Sequence, residues 1–310
     1  MKLKGIEFGK VLGASGTQGF FGEGYWFHRY LKPFGLNFDG MTFVAKTTTL
    51  NRRGGNMPLL GNFTPQELLP KCIHVNPWQG IALNSVGLSG PGTRALLVVN
   101  RWQMRQNPFF ISFMSVAATA KERIEELTAF VGILKSYLRR FRAPVGLQIN
   151  YSCPTAGIHI DDLFQEASEG LSVASRLGIP LMPKFSVVMP PKVAREIANH
   201  QACDGICISN TIPYGQMADR IDWQKFFGTQ SPLEQYGGGG LSGKLLLPLL
   251  LEWLDEARRI GLEKPINAGG GILCLKDAKK VMKMADSIFL GSIAFLRPWR
   301  VARIIRAING

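Results

Sequence analysis

The sequence predicts an α/β fold: a (β/α)8 TIM barrel with long loops inserted at its C-terminal face. Short β-branched runs alternate with longer helical patterns, as in parallel βα units. The runs number about eight, the count that closes a barrel. The 310 residues suit one such unit, which commonly takes ~250 residues or more. Strands are expected over 11–14, 42–46, 109–115, 145–150, 181–185, 205–209, 265–268 and 287–290. The clearest helix is 121–141, where Ile124, Leu127, Phe130, Leu134 and Leu138 recur at helical spacing. Others are expected over 161–177, 191–200, 244–260, 275–284 and 293–308. Two irregular stretches, 51–108 and 212–243, exceed what a minimal barrel needs. Long loops inside a compact fold are usually functional. No repeat or linker divides the chain, so 1–310 reads as one domain.

Composition narrows the function. Hydrophobic residues make up 46% and charged residues 19%, ordinary for a globular protein with a sizeable core. No apolar stretch approaches the ~20 residues of a membrane span, and the start has no signal-peptide core. A cytoplasmic protein with no membrane partner is expected. The five cysteines are scattered, and an odd number without a secretory signal argues for reduced thiols. Cys203 and Cys207 fall in a buried strand pattern with no second pair to complete a zinc site, so they read as structural. The net charge of +14 favours anionic partners. The basic residues are dispersed and not interleaved with stacking aromatics, which argues against a nucleic-acid groove.

Polar residues are concentrated where a barrel holds its chemistry. Lys46, Asn150, Lys184 and Asn210 each fall at or just beyond the C-terminal end of an expected strand, so they share one rim. In the C-terminal third, Gly269-Gly270-Gly271 follows one strand, and Gly291-Ser292 follows the next and opens a helix. Glycines there let backbone N–H groups approach a phosphate, aided by the helix dipole. The bland alternative is a pair of tight turns. The run Gly237–Gly243 suits either close backbone approach to a flat ligand or a plain loop. Cys153 lies past a strand end, before an expected lid over 155–160. A rim thiol is either a base or nucleophile of lowered pKa or a packing residue. Of the histidines, only His159 is near enough in sequence to assist it.

These segments together resemble the dihydroorotate dehydrogenase family, in particular its soluble class 1 branch, over nearly the whole chain and in family order. Ala14-Ser15-Gly16 with Gly22 resembles its first flavin loop, Ala45-Lys46-Thr47-Thr48-Thr49 its strand-end lysine segment, and Leu83-Asn84-Ser85-Val86-Gly87-Leu88 its substrate loop. Gln148-Ile149-Asn150-Tyr151-Ser152-Cys153-Pro154 resembles its catalytic segment, where class 1 places cysteine. Pro183-Lys184-Phe185, Ser209-Asn210-Thr211, Gly240-Leu241-Ser242-Gly243, Gly270-Gly271-Ile272 and Gly291-Ser292 complete the series.

The resemblance implies an FMN enzyme that oxidises dihydroorotate to orotate in pyrimidine biosynthesis. Cys153 would act as base, and Lys46 would lie against flavin and substrate. Asn84, Asn150, Thr155, Asn210 and Thr211 would contact the dihydropyrimidine. FMN would be held by Ala14, Ser15, Gly16, Lys46, Thr47, Asn150, Lys184, Gly243, Gly270, Gly271, Gly291 and Ser292. A homodimer is implied. An iron–sulfur/FAD electron-transfer subunit is a further possible partner; any such cluster must belong to it, because this chain has no four-cysteine motif.

The sequence departs from the family pattern where Thr155 replaces an asparagine, at Ser89-Gly90, and at Gln148, where an acid is common. Two rival readings follow. One is an FMN enzyme acting on another dihydropyrimidine, of the dihydrouracil type. The other is a phosphate- or nucleic-acid-binding barrel without redox activity, for which only the charge argues.

Overall fold

The parallel strands carry an inward-facing residue at every second position, and that alternation builds both the barrel's filling and its rim. In a computed structural model, which describes residues 1–151 and 160–310, an N-terminal hairpin, β1 (Lys2–Leu3) and β2 (Ile6–Glu7), precedes the first barrel strand, β3 (Val11–Gly13). The antiparallel strands β4 (Ile73–Asn76) and β5 (Ile81–Asn84) come next. They are followed by barrel strands β6 (Phe109–Phe113), β7 (Val145–Asn150), β8 (Leu181–Ser186) and β9 (Ile206–Asn210). After β10 (Ile212–Pro213) and β11 (Gly240–Gly243) the barrel resumes with β12 (Ile266–Ala268) and β13 (Ser287–Leu290).

Seven of these strands form a parallel sheet in the order β3-β13-β12-β9-β8-β7-β6. The expected eighth strand, 42–46, is not a regular strand but still closes the ring. Thr42 N–H donates to Val11 O on one edge, and Phe110 N–H donates to Phe43 O on the other, at 2.9 and 3.0 Å. Thr48 then bridges Phe113. The segment crosses from β3 to β6 through single bridges rather than a continuous ladder.

The helices are α1 (Trp26–Leu31), α2 (Thr93–Val98), α3 (Ala120–Tyr137), α4 (Ile160–Ala174) and α5 (Pro191–Ala198), then α6 (Trp223–Phe227), α7 (Leu246–Arg259), α8 (Leu275–Val281), α9 (Ile293–Leu296) and α10 (Val301–Asn309). Helix α3 starts at a capping box: Thr119 accepts from Glu122 N–H while the Glu122 carboxylate accepts from Thr119 N–H. The helix expected over 293–308 is broken into α9 and α10, because Pro298 cannot continue a helical ladder. Arg123 forms a bidentate pair with Glu166 at 2.8 and 2.6 Å, tying α3 to α4.

The stretches expected to be irregular contain a second sheet. Strands β10-β11-β5-β4 form a four-stranded antiparallel layer in which Gly240 pairs with Asn84. The glycine-rich run is therefore partly a strand, paired on both sides by β10 and β5. Inside the barrel, Leu12, Val44, Phe110, Met182, Cys207 and Phe289 form a packed plug together with Met1, Leu3 and Phe8. Gly146 must be small here, since a Cβ would lie 2.4 Å from the Phe110 ring.

Candidate active site

Two residues beyond five of these plug positions, the filling gives way to a cavity. Leu12 is followed by Ala14, Val44 by Lys46, Met182 by Lys184, Cys207 by Ser209 and Phe289 by Gly291. All five of these second residues line one cavity of about 870 Å³. The plug is its floor, and the strand ends are its wall, as barrel geometry requires.

Of the site residues expected from the sequence that lie among the described residues, fifteen line this cavity: Ala14, Ser15, Gly16, Lys46, Thr47, Asn84, Asn150, Lys184, Asn210, Thr211, Gly243, Gly270, Gly271, Gly291 and Ser292. Cys153, Thr155, His159 and most of the expected lid lie outside the described residues. Gly22 is not in the lining. Cys203 and Cys207 are buried free thiols, as the strand pattern predicted. Among the described residues no cluster of His, Cys, Asp or Glu suits a metal ion, and no helix is long and apolar enough to cross a membrane.

The wall is held by short polar contacts. Ser15 Oγ donates to Ala45 O at 3.0 Å and lies 2.7 Å from Thr47 Oγ1, which in turn lies 2.9 Å from Ser112 Oγ. Asn210 Nδ2 donates to Asn150 Oδ1 at 2.9 Å, and Asn84 Nδ2 reaches Gly240 O at 3.4 Å. Carboxamides offer both donors and acceptors, and three lining one cavity suit an amide-bearing ring.

The charges are unusual. Lys46 and Lys184 are both buried, and neither has a carboxylate within salt-bridge reach among the described residues. Lys46 Nζ donates to Ser89 O and sits over the Phe20 ring at 4.8 Å. Burial pushes its pKa down to about 8, with Glu23 pulling weakly upward. Lys184 is also pushed down by burial, and its Nζ lies 5.6 Å from the Phe289 ring centre. Two desolvated ammonium groups facing one cavity call for an anionic ligand. Ser89, a departure from the family pattern, serves Lys46 through its backbone carbonyl, which any residue supplies.

The phosphate-type cradle fits the same demand. The backbone N–H groups of Gly270, Gly271, Ser292 and Ile293 donate no hydrogen bond among the described residues. Gly291 is packed so that a Cβ would stand 3.0 Å from Ala14 Cβ. The glycines at 243 and 271 have a packing reason besides. A Cβ on Gly271 would meet Leu247 N at 2.7 Å, and one on Gly243 would meet Gly80 O at 2.3 Å.

The description of the dihydroorotate dehydrogenase family matches residues 1–310. The chain belongs to that family. Its relatives include the protein named dihydroorotate dehydrogenase B (NAD(+)), catalytic subunit, of Thermoanaerobacter pseudethanolicus, 28% identical over 310 residues and covering 96% of this chain and 88% of the relative. The protein of the same name from Caldicellulosiruptor saccharolyticus is 28% identical over 324 residues, covering 100% and 92%. That of Cutibacterium acnes is 25% identical over 313 residues, covering 96% and 88%. Dihydroorotate dehydrogenases are flavoprotein oxidoreductases acting on a CH–CH group.

Parts of the cavity were not anticipated from the dihydroorotate dehydrogenase motifs. Tyr25, Trp26, Phe27 and His28 line it, as do Pro65 and Leu68–Lys71. Tyr25 Oη donates to Gly16 O at 2.7 Å, fastening the aromatic segment to the first glycine loop. Four consecutive aromatic rings were the available signal. The 65–71 segment has none, because its approach to the rim depends on the fold of the whole insertion.

Proposed function

We propose that this chain, as one domain, is an FMN-dependent, class 1-like dihydroorotate dehydrogenase that oxidises (S)-dihydroorotate to orotate. The observation that carries this reading is the convergence of fifteen expected residues on one cavity whose two buried ammonium groups have no carboxylate partner among the described residues. When bound, FMN would supply two-electron acceptance. Gly270, Gly271, Gly291 and Ser292 would hold its phosphate through backbone N–H groups, with Ala14, Ser15, Gly16, Thr47 and Gly243 against the rest. Lys184 would balance negative charge on the ring system. Asn84, Asn150, Asn210 and Thr211, with Thr155, would orient the dihydropyrimidine. Cys153 Sγ would take the proton from C5 as hydride leaves C6, and Lys46 would counter the substrate's negative charge.

The relatives' designation as catalytic subunits supports an electron-transfer partner; that this partner carries iron–sulfur and FAD groups, that the chain is a homodimer and that it is cytoplasmic belong to the same proposal. Thr155 favours a second reading, in which the substrate is a dihydropyrimidine of the dihydrouracil type. Anaerobic mixing of the purified protein with each compound, followed by flavin absorbance, decides between them. Bleaching by dihydroorotate is expected. Bleaching by dihydrouracil alone would favour the second reading, and a colourless protein that binds nucleic acid in a salt-sensitive way would overturn both.

A further inference from the structure

The surface around the cavity mouth is apolar to an unusual degree. Trp78 is 95% exposed, Leu69 81%, Phe34 72%, Tyr30 67% and Trp299 55%. Contacts join them into one patch. Trp26 Nε1 donates to Leu68 O, and its ring lies 5.9 Å from that of Tyr30, which links α1 to the 65–71 loop. Arg297 Nη1 donates to Pro77 O at 2.7 Å, and its guanidinium lies 6.0 Å from the Trp299 ring, which links the β4–β5 turn to the chain beyond α9. Gly35, just after Phe34, packs on Trp299 so closely that a Cβ there would stand 3.4 Å from its carbonyl oxygen. Leu68, Leu69 and Val75 belong both to this surface and to the cavity lining.

Contiguous apolar surface of this kind marks an interaction site, and the charges within it indicate the partner. Arg29, Lys32, Lys71, Arg297 and Arg300 lie in the contributing segments, against the single acid Glu67. None of the five basic groups has a carboxylate partner among the described residues. We propose that this rim docks the protein on an anionic lipid surface, with Trp78, Leu69 and Phe34 entering the headgroup region and the basic side chains holding the phosphates. Tryptophan and tyrosine with arginine and lysine is the composition favoured at the bilayer interface. The proposal is independent of the substrate reading. It revises the expectation of no membrane partner, which rested on spanning segments; a rim assembled from three distant segments leaves no hydropathy signal.

The test is co-sedimentation of the purified full chain, with whatever cofactor it retains, on vesicles of phosphatidylcholine alone and of phosphatidylcholine with phosphatidylglycerol. Binding should be at least ~tenfold stronger to the anionic vesicles, weaken as salt rises, and blue-shift the tryptophan emission. The double variant Trp78→Ser/Phe34→Ser, at two positions that do not line the cavity, should lose ~tenfold or more in binding with an unchanged thermal midpoint. Arg29→Glu/Lys32→Glu should lose the preference for anionic lipid. Absence of wild-type sedimentation, or binding indifferent to all four substitutions, would overturn the proposal. So would a wild-type oligomer that the Trp78→Ser/Phe34→Ser variant dissociates, since the patch would then face another protein chain.

Discussion

Asn210 on β9 donates its side-chain amide to Asn150 on β7 across the intervening strand β8, at 2.9 Å. Each amide therefore fixes the orientation of the other before any ligand arrives, as preorganised recognition requires. Replacing Asn210 with Ala should raise KM for the dihydropyrimidine ~tenfold while the flavin is retained. Asn150→Ala should do likewise, and the double variant should be little worse than either single one, with a coupling of about 1 kcal/mol. A double-mutant cycle in steady-state kinetics reads this directly, and strictly additive effects would contradict the pairing.

Lys46 provides a pH signature. Burial holds its pKa at about 8, below the ordinary 10.5. Between those values the unfolded chain binds more protons than the folded one, so stability rises with pH across that window. The burial penalty is fully present below pH 8, on the order of 3 kcal/mol. Denaturant melts of the flavin-free protein should therefore show rising stability from pH 8 to about 10, and Lys46→Met should flatten the rise. An anion bound beside Lys46 lifts its pKa, so flavin binding near pH 8 should take up protons. Calorimetry in buffers of differing ionisation enthalpy measures that uptake.

Two of the cradle glycines, Gly271 and Gly291, should fail differently. Gly271 has a φ of +74° and would place a Cβ 2.7 Å from Leu247 N, so Gly271→Ala should cost ~2 kcal/mol or more in stability. Gly291 would place a Cβ 3.0 Å from Ala14 Cβ and 4.0 Å from Thr17 Oγ1, a milder crowding than at Gly271, so Gly291→Ala should weaken flavin retention more than it lowers the melting midpoint. Comparing flavin content with thermal midpoints for both variants separates the roles.

Outside the site, the Arg123–Glu166 pair joins α3 to α4 with 15% and 8% side-chain exposure. Arg123 also donates to Ala117 O and Ala118 O. Arg123→Ala leaves a nearly buried carboxylate unpaired and should cost about 3 kcal/mol, visible as a lower thermal midpoint. An unchanged midpoint would show that water replaces the guanidinium.

For Cys153, the expected outcome of Cys153→Ser is retained flavin with severely slowed reduction at neutral pH and partial recovery at high pH. A serine hydroxyl is a far weaker acid than a thiol, so it supplies the basic form only under alkaline conditions. Stopped-flow reduction across pH measures this, and an unchanged rate would remove the cysteine from the role of base.

The sequence by itself determined the barrel and most of its rim. Parallel strands run in one direction, so residues at their C-terminal ends share a face, and the period of two aims every second one inward. Lys46 and Lys184 were therefore legible as sharing one rim before any coordinates. Tertiary structure alone decided three things. Segment 42–48 closes the ring by single bridges, because its neighbours meet it from opposite ends of the sheet. The second sheet pairs Asn84 with Gly240, 156 residues apart, and local pattern carries no trace of a partner so distant. The aromatic and apolar rim around Trp26, Leu69, Trp78 and Trp299 likewise forms only when separate loops are brought together, so each piece looked like an ordinary exposed side chain until the fold assembled them.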